Sequence, residues 1–131
     1  MTEAVQEKTP AYQPDFLKDK SFVLQVQELA FRGIRGYYTE HEKGASLMDV
    51  YGRVQEIIRR MKLDGELDIK FYIPGGKRTV DRRVNEIASL NPKENLLMRN
   101  GVPLVKAVKA RNGNRYWPNP LLFEDVKLEG Q

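Results

Sequence analysis

The chain has 131 residues, 40% of them hydrophobic and 31% charged, with a formal net charge of +4, which predicts one domain with a core of its own. The absence of cysteine excludes disulfides, thiolate zinc sites and cysteine nucleophiles, and a single histidine, His41, leaves metal and proton-transfer chemistry little to work with. No apolar run approaches the roughly 20 residues of a membrane-spanning helix, and the polar, acid-containing start of the chain is unlike a secretory signal, so a soluble, cytoplasmic protein is expected.

Residues 1–15 carry two prolines and no apolar periodicity and read as a flexible arm, 16–123 as one globular domain, and 124–131 as an acidic C-terminal tail with a few apolar anchors. A helix is expected from about Pro14 to Tyr38, with Phe22, Val23, Val26, Leu29 and Ala30 on one stripe. Leu17, Leu24, Phe31 and Tyr38 recur every seven residues on another side. A helix apolar on two sides is either buried between layers or one half of a dimer seam, here a homodimer through helix 16–38. Gly33 and Gly36 are expected to end or loosen it.

Ser46-Leu-Met-Asp49 reads as a capping box with Asp in the place of Glu, opening an amphipathic helix through Leu47, Val50, Tyr51, Val54, Ile57, Ile58 and Met61 that Gly65 closes. From Leu67 to Ile73 apolar and polar residues alternate, which favours a strand, although Ile69 and Ile73 also have helical spacing. Pro74-Gly-Gly-Lys-Arg-Thr79 is not a nucleotide loop. The residue five before Gly76 is Phe71, and Lys77 is followed by Arg78, so neither the phosphate cradle nor the magnesium hydroxyl is present. The alternative is a tight turn into a helix capped by Thr79, over residues 79–90, with Val80, Val84, Ile87 and Ala88 inward and Arg82, Asn85, Glu86 and Ser89 outward. Asn100-Gly101 and Asn112-Gly113 then signal two hairpin turns joining three short strands, for an α+β fold with a helical first half and C-terminal hairpins.

Charge divides the chain unevenly. Met1–Gly65 holds ten Lys/Arg against ten Asp/Glu, whereas Lys70–Arg115 holds eleven against three. A polyanion is the partner such a half suits, although basic faces also serve solubility. On "KRTVDRRVNEIA" followed by a basic hairpin with Asn-Gly at its tip and "RYWPNP" after it, about residues 46–118, the sequence resembles the winged helix-turn-helix family of DNA-binding domains. The resemblance implies that helix 79–90, with Arg82 and Arg83 facing outward, enters the major groove of double-stranded DNA, and that a wing over 106–115 touches backbone or minor groove.

Chemistry agrees with those assignments. Lys77, Arg78, Thr79 and the helix N–H groups suit phosphates, and Arg82 and Asn85 are types that pair with guanine and adenine edges. Lys106, Lys109, Arg111 and Arg115 would add Coulombic affinity by releasing counterions. The ordinary reading of Arg82 and Arg83 is a solvated helix face; Tyr116 and Trp117 either stack on bases or pack against the hairpin. The function expected is that of a small DNA-binding regulator, not an enzyme, with no cofactor and no metal. Tyr37-Tyr38 has the look of a nicking pair but lacks the two histidines such chemistry needs, and Glu40, Glu42, Asp64, Glu66 and Asp68 have no spacing for magnesium. The alternative is a viral nucleoprotein or assembly subunit that coats nucleic acid without reading it.

Overall fold

A computed structural model describes residues 22–128; the proposed arm, the start of the first helix and the last three residues of the tail lie outside that range. Three helices, α1 (Phe22–His41), α2 (Leu47–Leu63) and α3 (Lys77–Ile87), precede one antiparallel hairpin of β1 (Val105–Ala110) and β2 (Gly113–Pro118). The fold is a small α+β arrangement whose core gathers Val26, Leu29 and Ile34 of α1, Val50, Val54 and Ile58 of α2, and Val80, Val84 and Ile87 of α3. Each helix contributes the stripe that its apolar spacing predicts, because burial of that stripe is what holds a short helix in place.

α1 runs on to His41 instead of ending at its glycines. Gly33 is where α2 crosses closely: a Cβ there would lie 3.3 Å from Arg53 Cβ and 3.4 Å from the Val50 carbonyl. The second apolar line of α1 is covered within the chain, for Phe31 stacks on Phe123 at 5.8 Å and Tyr38 tilts against Trp117 at 5.9 Å. Two residues of the expected dimer seam, Phe31 and Tyr38, are thus engaged within the chain.

The capping box of α2 forms as its sequence predicts: the Ser46 hydroxyl accepts from Asp49 N–H and Asp49 accepts from Ser46 N–H, both at 3.0 Å. At its far end Gly65 (φ +75°) lets Gly65 N–H reach Lys62 O and Glu66 N–H reach Met61 O, satisfying two terminal carbonyls. The segment 67–73 is neither strand nor helix. Asp68 turns the chain, accepting the Lys70 N–H on its side chain and the Phe71 N–H on its carbonyl, so that Leu67, Phe71 and Ile73 enter the core while Ile69 stays outside. Alternation here recorded which residues meet the core, with no partner strand to make them a sheet.

Pro74-Gly75-Gly76 is a turn, closed by Gly76 N–H to Ile73 O, with positive φ at both glycines. It delivers α3 two residues earlier than Thr79, and the helix ends at Ile87 instead of Leu90. Gly76 is the N-cap, and the Thr79 hydroxyl donates to Pro74 O at 2.5 Å instead of capping. Of the two predicted hairpins only the second has two strands. Asn100 and Gly101 do adopt positive φ, but they close a single bridge between Arg99 and Val102.

Candidate nucleic-acid interface

The hairpin is clamped by two consecutive aromatics. Neighbouring residues of a strand face opposite ways, so Tyr116 and Trp117 grip different elements. Tyr116 joins the main core and its hydroxyl donates to Asn85 Oδ1 of α3 at 2.7 Å. Trp117 packs with Tyr38 of α1 and Val126 of the C-terminal segment. Both rings are almost wholly buried and unavailable for stacking on bases.

Cross-strand partners share a face. Ala107 opposite Tyr116 and Lys109 opposite Asn114 therefore lie on the α3 side, whereas Lys106 opposite Trp117 and Val108 opposite Arg115 lie on the other. Arg111 sits in the two-residue turn between Ala110 and Gly113. On α3, the 100° step puts Arg78, Arg82 and Asn85 on one outward stripe opposite Val80, Val84 and Ile87. Tyr116 joins that stripe to the Lys109 face of the hairpin.

The expected contacts separate into free and engaged groups. Arg82 is 73% exposed and only loosely near Glu86, at 3.9 Å. Arg78, Lys109 and Arg111 are exposed and form no ion pair among the described residues. Lys106 is exposed on the far face of the hairpin. Arg83, by contrast, belongs to the protein: its side chain is 14% exposed and donates to both Glu86 oxygens at 2.6 and 2.7 Å. Lys77 pairs with Asp81 at 2.8 Å. Arg115 faces away from α3, donating to Gly44 O and lying 3.6 Å from Asp49. The Asn85 amide is used at both ends, by Tyr116 and by the Asp81 carbonyl. Thr79 is turned back to Pro74, as above.

Three buried amides hold this arrangement, and nothing in the sequence singled them out. Gln27 of α1 donates to Glu86 Oε1 and Glu94 O and accepts from Leu96 N–H, fixing α3 and the loop after it. Asn95 donates to Ile87 O and Ser89 O, closing the end of α3. Asn119 ties Pro103 O to Leu121 N–H around the hairpin base. Interior Gln and Asn are decided by which backbone groups the fold leaves unpaired, which no local pattern announces.

Tyr38, one of the tyrosine pair, is buried, with its hydroxyl donating to Asp125 O and accepting from Lys127 N–H. No group of three or more His, Asp or Glu suited to a metal ion occurs among the described residues, and no described helix is long and apolar enough to cross a membrane. Compared with protein-family models, with curated proteins and with solved structures, the chain matches none.

Proposed function

We propose that this protein binds duplex DNA through the outward stripe of α3 and the α3-facing side of the hairpin, and serves as a small transcriptional regulator. The observation that carries the reading is the bond from Tyr116 to Asn85, which ties the helix that bears Arg78 and Arg82 to the hairpin that bears Lys109 and Arg111. Cations converging from two elements can contact neighbouring phosphates, with Arg82 free for a guanine edge. Three helices followed by a hairpin support the winged-helix comparison; the thirteen residues between α2 and α3 (64–76) depart from the short turn of that family.

Fluorescence anisotropy with labelled duplex tests this. With four free cations as the contacts, the affinity should fall with salt at a logarithmic slope of about −3.6, about 150-fold between 50 and 200 mM salt. No binding at low salt, or binding indifferent to salt, rejects the proposal.

One observation favours a second reading, a subunit that coats nucleic acid without reading its sequence: the exposed Asn85 amide is already bonded to the Tyr116 hydroxyl and the Asp81 carbonyl, which fixes its direction within the protein. Competition with unrelated duplex separates the two. A regulator keeps its preferred sequence, and a coating subunit is displaced equally by all.

A further inference from the structure

The hairpin has an open edge beside an apolar cleft. Ala45 exchanges both backbone hydrogen bonds with Tyr116 on the outer side of β2, so Tyr116 and Ala107 form a wide pair whose own N–H and C=O groups point away from each other. By the same alternation the Lys109 groups point outward as well. Ala107 and Lys109 are exposed, and none of their outward N–H and C=O groups has a backbone or side-chain partner among the described residues.

Directly against this edge lies a cleft of about 580 Å³ lined by Leu90, Val102, Pro103, Val105, Lys106 and Leu121, among others. Leu90 is 75% and Leu121 81% exposed at its rim. An unpaired strand edge next to an apolar cleft is the geometry of strand addition, in which main-chain bonds give affinity and the cleft takes side chains.

Charge selects the occupant. From Asn95 to Phe123 the chain has no Asp or Glu and five cations, and no acidic residue lines the cleft. A second β1 strand, Val-Lys-Ala-Val-Lys-Ala, carries no carboxylate to answer these lysines. Lys106 on one face and Lys109 on the other match carboxylates on either side of an incoming strand. We infer that β1 and its cleft receive an extended peptide of a partner protein, apolar where it enters the cleft and acidic beside the lysines, as a third strand. The site shares Lys109 with the proposed DNA surface but uses neither Arg78 nor Arg82, so the two readings can fail separately.

The test is amide NMR of the full chain titrated with capped synthetic peptides, one repeating Val-Glu-Glu and one repeating Val-Lys-Lys, so that each face carries charge. The glutamate peptide is expected to shift the Ala107 and Lys109 amides and slow their exchange, and the lysine peptide is not. Leu121→Glu, at an exposed position that leaves the core intact, should weaken binding about tenfold or more. Ala107→Pro removes an outward N–H without touching a rung to β2 and should do the same. Arg78→Ala with Arg82→Ala should leave peptide binding unchanged while lowering the DNA salt slope by about two contacts. The inference is overturned if neither peptide binds, if both bind alike, if the shifts map away from β1, or if the same shifts arise from concentration alone, which would mean a second copy occupies the edge.

Discussion

Arg82 and Arg83 are adjacent and chemically identical, yet the fold gives them opposite roles. One helical step turns Arg83 toward Glu86, itself held by Gln27, while Arg82 stays on the open stripe. Arg83→Ala should therefore cost about 1.5–3 kcal/mol, the worth of hydrogen bonds to a charged group in a sheltered place. Arg82→Ala should leave stability within about 0.5 kcal/mol and lower the DNA salt slope by about one contact. Urea unfolding of both variants beside anisotropy separates the effects; equal unfolding midpoints would contradict the assignment. The sequence made both arginines outward candidates because a wheel knows only the angle, whereas a carboxylate three residues on and a glutamine from another helix decided between them.

At the scale of single elements, the N-terminus of α2 is the part most completely written in local sequence, since capping depends on residues three apart. Burial opposes ionisation of Asp49, but the Ser46 N–H and hydroxyl, the Tyr37 hydroxyl and the Arg115 charge together hold its carboxyl below its ordinary value of 3.8. The stabilisation is present in full above that ordinary value and fades as pH falls through the lower folded value. Asp49→Asn should lower stability by about 0.3–1 kcal/mol at neutral pH, and the gap from the unmodified protein should close in acid, as followed by denaturant midpoints across a pH series. A gap constant down to the most acid point would refute this. The Glu56 carboxyl is pulled down to about 2 by hydrogen bonds from Arg59 and then Arg60, but those groups are exposed and screened, so removing Arg59 should change little.

Across the whole molecule, the C-terminal segment is a structural strap over α1. Val126 is buried between Tyr38 and Trp117, Asp125 pairs with Arg35 at 2.6 Å, and Phe123 lies under the Arg35 and Arg99 guanidiniums. Val126→Ala removes two buried carbons and should cost about 1.6 kcal/mol at about 0.8 each, with Trp117 fluorescence reporting the loosened seat. Unchanged thermal stability would place the strap outside the cooperative unit.

The sequence by itself determined the three apolar stripes, the capping box, the Pro-Gly-Gly turn and the Asn-Gly tip, because each rests on contacts within a few residues and on backbone angles that few side chains allow. It also located the basic half, since charge adds without regard to fold. Tertiary structure alone decided that the segment 67–73 turns instead of pairing, that Thr79 does not cap, that Gly33 of α1 marks a helix crossing, and which cations remain free. Those outcomes depend on partners distant in the chain, Asn85 with Tyr116 and Arg83 with Gln27 through Glu86, and a pairing between remote residues exists only once packing has set their backbones side by side.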